Sequence, residues 1–426
     1  MEFRKLCVLG LGYIGLPTAS TFATHGLQVI GVDVNRRVVD GLKNGQVHLY
    51  EPGLRTLVQA ALRSGNLKIC DQPEEADAFI VAVPTPFLAD KRADLQYVTA
   101  ATEAIMPHLR RGNLVVLEST SPPRTTQEVV APILERSGLK AGRDFHLVYS
   151  PERVLPGQIL RELIENARVI GGVDAASAEA GRDLYALFVR GEIVLTDATT
   201  AEMVKLMENT YRDVNIAIAN EFARLGDRFG IDVWEAIRIA NRHPRVNILQ
   251  PGPGVGGHCI SVDPWFLVEA APDLTTLIRT ARQVNDAQPD FVAALAQKIL
   301  KGQSLQGRRV TVLGLSYKAD VDDLRESPAI EVAHRLAEAG AEVHAYDPYQ
   351  AGFTLEGVVM EDSLEGALKG AELLLLLVGH SALRSLDPAA VVGMTPARAV
   401  LDAVAGWPAA AWQAAGFEYH CLGVGW

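Results

Sequence analysis

An α/β chain with two Rossmann-like, doubly wound domains, joined by a central helical region that opens with a long linker helix, is what this sequence predicts. Three observations carry the prediction. Lys5-Leu-Cys-Val-Leu-Gly-Leu-Gly-Tyr-Ile14 sets an apolar strand directly before a glycine-rich turn, and Arg309-Val-Thr-Val-Leu-Gly-Leu-Ser-Tyr-Lys318 repeats the pattern late in the chain. Between the two copies, apolar residues recur at helical spacing.

The first domain is assigned to residues 1–197. Leu6 to Gly10 reads as a strand, Tyr13 to His25 as a helix and Gln28 to Asp33 as the second strand, a β-turn-α-β start. Further strands are expected at Ala78 to Val83, Asn113 to Leu117, Phe145 to Tyr149 and Arg168 to Gly171, separated by helical or turn-rich sequence. The central region, 198–300, is helical: Val204, Met207, Tyr211, Val214 and Ile218 form an apolar stripe on a long helix, a feature that often dimerises. In the last domain, 301–426, Ala341-Glu-Val-His-Ala-Tyr-Asp-Pro348 echoes Leu27-Gln-Val-Ile-Gly-Val-Asp-Val34. Strands are expected there at Val358 to Met360, Leu373 to Leu377 and Ala399 to Leu401.

At 426 residues, 48% hydrophobic and 21% charged, the chain has material for two or three cored domains. A formal charge of −11 without a long basic block argues against a nucleic-acid surface. The N-terminal residues enter a strand with no apolar leader, and Leu373 to Val378 is too short to span a bilayer, so a cytoplasmic protein is expected. Cys7, Cys70, Cys259 and Cys421 have no CxxC or metal-ligand spacing, so neither disulfides nor a metal site is expected.

Gly10-Leu-Gly12-Tyr-Ile-Gly15 follows a strand and opens a helix, with Asp33 closing the next strand. In such a fingerprint the first glycine makes the turn and the second lets backbone approach a pyrophosphate. The acidic residue accepts the ribose hydroxyls. A carboxylate there repels a 2'-phosphate and favours NAD, while Arg36 and Arg37 leave NADP as the alternative. Gly314-Leu-Ser-Tyr-Lys-Ala lacks the later glycines and reads as a diverged nucleotide site, with Lys318 and Arg325 able to meet phosphates, or as an ordinary turn with surface cations.

Cys259 ends the run Gln250-Pro-Gly-Pro-Gly-Val-Gly-Gly-His-Cys259, four residues before Asp263. A thiol beside a dinucleotide fingerprint fits aldehyde oxidation, because a thiolate adds to the carbonyl and the adduct can surrender hydride. The flanking glycines let backbone approach a ligand closely. The alternative is a buried core thiol. His258 is read as structural or substrate-facing. Lys205, Asn209 and Arg212 share one face of the long helix, where lysine can stabilise an alkoxide and asparagine can fix a hydroxyl or water. Taken alone, that stripe is equally a solvated polar face. Arg242-His-Pro-Arg245, Glu118-Ser-Thr120 and Ser150-Pro-Glu152-Arg153 offer further polar groups on turns, the last two after strands, where doubly wound folds place ligand loops.

These segments, with Val83-Pro-Thr-Pro86, Glu202-Met-Val-Lys205 and Ala319 to Ser327, together resemble the UDP-glucose/GDP-mannose dehydrogenase family over essentially the whole chain. Pro151 to Gly157 and Asn241 to Cys259 look most like its members that oxidise UDP-N-acetyl-D-mannosamine. The resemblance implies a four-electron oxidation of a sugar C6 alcohol to a carboxylate by two NAD in succession, through a thiohemiacetal and a thioester on Cys259. By the same resemblance Lys205 supports oxyanions or moves protons, Asn209 and Thr120 position water, Asp263 assists proton traffic and Glu152 acts in hydrolysis. Gly10, Gly12, Tyr13, Ile14, Gly15, Asp33, Thr85, Thr126, Lys318 and Arg325 are the implied cofactor residues. Arg153, Val154, Lys205, Asn209, Arg212, His243, Arg245 and Gly256 are the implied UDP-sugar residues. The last domain is then UDP-sugar-binding, and His243 and Arg245 reach across a homodimer interface.

Two departures stand out. Pro156 replaces a glutamate typical of glucose-specific relatives, and Pro123 and Arg124 fill a loop where relatives often carry a small residue. The competing readings are the same chemistry on UDP-N-acetylglucosamine or UDP-glucose, a two-electron β-hydroxyacid dehydrogenase, and a non-enzymatic NAD sensor.

Overall fold

Strands buried on both faces need apolar residues at every position, and the two sheets are built from such runs. In a computed structural model of the chain, residues 1–88, 90–155, 157–257, 259–300 and 304–425 are described. Pro156 and His258, both singled out above, lie outside the described residues. The chain divides into two compact units, Met1–Glu208 with Trp265–Pro272, and Asn209–Pro264 with Asp273–Trp426.

The first unit holds an eight-stranded sheet of order β3-β2-β1-β4-β5-β6-β7-β8. Its strands are β1 (Lys5–Leu9), β2 (Gln28–Val32), β3 (Leu67–Cys70), β4 (Ala78–Val81), β5 (Leu114–Leu117), β6 (His146–Tyr149), β7 (Arg168–Gly172) and β8 (Ile193–Asp197). Along β1, Leu6 and Val8 enter one hydrophobic cluster and Cys7 and Leu9 the other, so the sheet is packed on both faces. The pairings are parallel except that of β6 with β7, where Tyr149 lies opposite Gly171. That reversal aims the N-terminal end of β7, where Arg168 sits, at the C-terminal end of β6.

The second unit repeats the arrangement with β9 (Arg309–Leu313), β10 (Glu342–Tyr346), β11 (Val359–Met360), β12 (Leu373–Leu376), β13 (Ala399–Asp402) and β14 (Glu418–Cys421). The order β11-β10-β9-β12-β13-β14 matches that of the first six strands of the other sheet, and all its pairings are parallel. Leu373 and Leu375 face one cluster, Leu374 and Leu376 the other. The strands that the sequence pattern does not reveal, β3, β8 and β14, are all sheet edges. Edge strands are less completely covered and carry weaker apolar runs: β3 alternates as Leu-Lys-Ile-Cys, and Val194 and Leu195 of β8 are exposed.

A 32-residue helix, Ala198–Phe229, begins in the first unit and ends in the second. Its buried face mixes polar residues with small apolar ones, among them Ala201, Ala217, Ala219 and Ala223. Glu202, Lys205, Asn209, Asp213 and Asn220 are buried, whereas Met207, Tyr211, Ile218, Phe222, Leu225 and Phe229 are exposed. Among the described residues no helix is long and apolar enough to cross a membrane.

Candidate active site

At the end of β1, Gly10 takes the left-handed conformation, with φ of 93°, and a Cβ there would lie 2.5 Å from the Ala82 carbonyl oxygen. Gly15 packs the following helix, Gly15–Thr24, onto the turn so tightly that a Cβ would fall 1.8 Å from the Gly10 oxygen. Gly12 is the opposite case: a Cβ there would meet nothing within 4 Å, so backbone lies open, and the helix starts with no side-chain cap. An open backbone turn at an uncapped helix N-terminus is what a pyrophosphate requires. Asp33 accepts from the Leu11 N–H at 3.0 Å and the Asn35 N–H at 2.8 Å and stays partly exposed, which fits a ribose contact. Tyr13 and Ile14 are half-buried beside it and Thr85 is buried. Thr126 is engaged within the protein, its N–H and hydroxyl donating to Glu202 at 2.8 and 2.6 Å, and the Arg124 N–H donates to the same carboxylate at 2.5 Å. This ties the Pro123-Arg124 loop to the long helix, and burial raises Glu202 above the ordinary carboxylate range despite those donors.

The motifs after β5 and β6 are joined by Arg168, which the sequence pattern marks only as part of a strand. Its guanidinium is almost wholly buried and bonds Glu118 at 2.6 Å, Glu152 at 3.0 Å and the Ser150 hydroxyl at 3.0 Å. The Tyr185 ring lies 3.9 Å from it, and the Tyr185 hydroxyl donates to Glu118 at 2.5 Å. Burial pushes Glu118 up to about 7, against the pull of Arg168. Thr120 sits half-buried two residues beyond Glu118. The other Glu152 oxygen accepts from the Arg153 N–H at 2.7 Å, and the Arg153 guanidinium pairs with Glu208 at 2.7 Å. Val154 packs against the core.

In the second unit Asn209, on the buried face of the long helix, donates to Asp263 at 2.5 Å. The Asp263 N–H in turn donates to the Cys259 carbonyl at 2.8 Å, so Cys259 lies in the backbone turn that leads into Asp263. Lys205 lies one turn before Asn209 on the same helix and is also buried, which overturns the solvated-stripe reading for these two; Arg212 is exposed. The approach to Cys259 is held by residues that the sequence does not reveal. Asn220 accepts from the Gly252 N–H at 3.0 Å and donates to Asn285 at 3.0 Å. Asn285 and Arg282 bond the buried Asp213 at 2.8 and 2.5 Å, and Asn215 accepts from the Leu249 N–H at 2.9 Å.

The glycines before Cys259 are expected from the sequence to admit a ligand; the structure fits Gly254, Gly256 and Gly257 against protein and leaves only Gly252 of the run open. A Cβ on Gly256 would lie 2.5 Å from the Glu326 oxygen, and one on Gly257 2.7 Å from the Tyr317 ring. The Gly257 N–H donates to the Arg325 carbonyl at 3.0 Å. Burial, reinforced by the nearby Asp323 carboxylate, pushes the Tyr317 hydroxyl up to about 12. Arg325 itself chelates Asp323, and Lys318 is exposed. His243 and Arg245 are exposed together, with 3.4 Å between their side-chain nitrogens. Burial holds the Cys7 and Cys421 thiols up at about 12 and raises Cys70, so these three stay protonated near neutrality.

The open Gly10 turn with Asp33 after β2 is that of a dinucleotide-binding domain, and the second unit sets Cys259 one turn before the Asp263 that Asn209 bonds. Residues 4–189 match the NAD binding domain of the UDP-glucose/GDP-mannose dehydrogenase family, 199–287 its central domain and 311–407 its UDP binding domain. The chain belongs to that family, and is an NAD-dependent nucleotide-sugar dehydrogenase. It is 47% identical to the UDP-N-acetyl-D-mannosamine dehydrogenase of Methanocaldococcus jannaschii, over 99% of this chain and 97% of that one. It is 48% identical to the NDP-N-acetyl-D-galactosaminuronic acid dehydrogenase of Ralstonia solanacearum, over 96% and 97%. Among solved structures, the UDP-D-ManNAc dehydrogenase of Pyrococcus horikoshii superposes with a TM-score of 0.93 at 40% identity, covering 99% of this chain and 100% of that one.

Proposed function

We propose that the protein oxidises the C6 alcohol of UDP-N-acetyl-D-mannosamine to the carboxylate, with two NAD and one water consumed and two NADH and three protons released per sugar. The position of Cys259, one turn before the Asp263 that Asn209 bonds, carries this reading: a simple alcohol dehydrogenase has no use for a thiol there. NAD, when bound, supplies the hydride acceptor for each oxidation. Lys205 and Asn209 stabilise the alkoxide as it forms, which is where a buried cation and amide act most strongly. The Cys259 thiolate then adds to the aldehyde carbon, and loss of the second hydride leaves a thioester. Water adds to the acyl carbon and the C–S bond breaks, with Thr120 and Glu152 orienting the water and Asp263 receiving protons. Gly10, Gly12, Tyr13, Ile14, Gly15, Asp33, Thr85, Thr126, Lys318 and Arg325 serve the cofactor in this reading. Arg153, Val154, Arg212, His243 and Arg245 serve the sugar nucleotide, with the division 1–197, 198–300 and 301–426 assigning NAD, dimerisation and UDP.

The exposed apolar edge of the long helix supports a homodimer. Met207, Tyr211, Ile218, Phe222, Leu225 and Phe229 recur along it, and three of them are 58% or more exposed. A cytoplasmic dimer in which His243 and Arg245 serve the neighbouring subunit completes the reading. Phe222→Asp is expected to weaken association by about 2 kcal/mol or more and to lower activity with it. Light scattering checks this, and a fully active monomer would refute the shared site.

Incubating the enzyme with NAD and a panel of UDP-sugars tests the chemistry. Two NADH per sugar are expected, with UDP-N-acetyl-D-mannosamine turned over fastest. The Ralstonia relative makes the N-acetyl-D-galactosamine series the comparison that matters most. A ratio of one with released aldehyde overturns the thioester route, and preference for a galacto or gluco epimer overturns the substrate.

A further inference from the structure

The second sheet keeps the acidic residue of a dinucleotide fold but has closed it off. Asp347 follows β10 as Asp33 follows β2. Where Asp33 is partly exposed, Asp347 has a fully buried carboxylate. Its Oδ2 accepts from the Leu315 N–H at 2.7 Å, the Ser316 N–H at 2.9 Å and the Ser316 hydroxyl at 3.2 Å. His380, after β12 and also fully buried, completes the set with its Nε2 at 3.0 Å. The other ring nitrogen, Nδ1, accepts from the Asp320 N–H at 2.9 Å, so Nε2 carries the proton and donates it to Asp347.

The Asp347–His380 pair therefore grips both ends of the segment 315–320, the carboxylate at Leu315 and Ser316 and the imidazole at Asp320. Asp320 has φ of 61°, a conformation that a side chain keeps only where its surroundings hold it. Ser381 holds it from the far side, its N–H donating to Asp320 Oδ1 at 2.8 Å and its hydroxyl to Oδ2 at 2.6 Å. Midway along the gripped segment is Tyr317, the ring against which Gly257 packs, two residues before Cys259.

We propose that His380 is a positioning residue for the thiol: the acid of a lost dinucleotide site has become the anchor of a latch that fixes the Tyr317 platform beneath the Cys259 loop. The functional consequence rests on Cys259 being the nucleophile, but the latch is measurable without turnover. The experiment is the rate of Cys259 alkylation by iodoacetamide, followed by peptide mass in the full-length protein, alongside kcat for acid formation. His380→Leu removes the grip on the Asp320 N–H and the donor that fixes Asp347, and is expected to speed alkylation by roughly tenfold, the size of one to two lost hydrogen bonds, and to lower kcat by a similar factor. Ser381→Ala keeps every buried charge partner and is expected to give about a threefold change in the same directions.

If His380→Leu fails to fold, Ser381→Ala decides. Folded variants that lose melting temperature while Cys259 reacts at the native rate would show a merely structural cluster and overturn the latch. An active Cys259→Ala enzyme sinks the nucleophile instead, and leaves the alkylation result standing.

Discussion

Cys259→Ala is expected to lower kcat for formation of the C6 acid by at least about 10³-fold, since loss of a covalent nucleophile can cost up to about 10⁶-fold. In the proposed mechanism the first oxidation does not need the thiol. The variant is expected to release one NADH and an aldehyde, slowly, through the buried Lys205 and Asn209, which the substitution leaves in place. Cys259→Ser retains a nucleophile of much weaker acidity and stalls after the adduct forms, visible as a covalent mass increase. The other three thiols cannot substitute, because burial raises each of them, Cys7 and Cys421 to about 12. Product analysis by mass spectrometry with NADH counting is the check. Uronate at the native rate from the alanine variant would end the thioester mechanism.

What is legible in the sequence follows from how local each signal is. The Gly10 turn with Asp33, and its echo at Gly314 with Asp347, are written within about thirty residues, and both sheets are built around them. Cys259 stands out because its glycines and Asp263 are neighbours in the chain. The roles of those glycines do not, since the ring and carbonyls they meet come from Tyr317 and Glu326. The long helix shows the same limit. Its apolar stripe is readable, but burial goes to the face carrying Lys205 and Asn209, because the polar groups that satisfy that face, Asp263, Arg282 and Asn285, are far along the chain. The antiparallel placement of β7 is equally invisible, and with it the meeting of Arg168 with Glu118 and Glu152.

Arg168→Met carries the largest expected cost in stability. The methionine nearly fills the space but leaves Glu118 and Glu152 buried without their cation. Breaking a buried ion pair on one side in this way costs about 3–5 kcal/mol. The native arginine stays charged, raised above its ordinary value by Glu152, Tyr185 and Glu118 although burial alone would lower it. The loss should depend on pH. Glu118 has a folded-state value of about 7, above the 4.5 of an ordinary glutamate, so the folded form binds its proton more tightly. Stability from this group is full below about pH 4.5 and is lost as pH rises through 7. Glu118→Gln removes that slope, and the wild type should lose stability relative to it between pH 5 and 8. In the double variant Glu118→Gln/Arg168→Met one of the two stranded carboxylates is gone, so the costs are not additive and part of the loss is recovered. Urea unfolding at pH 5.5 and pH 8, followed by fluorescence, measures all three. Equal destabilisation of Arg168→Met at both pH values, with no rescue in the double variant, would mean that Glu118 is not the proton-binding member of this cluster.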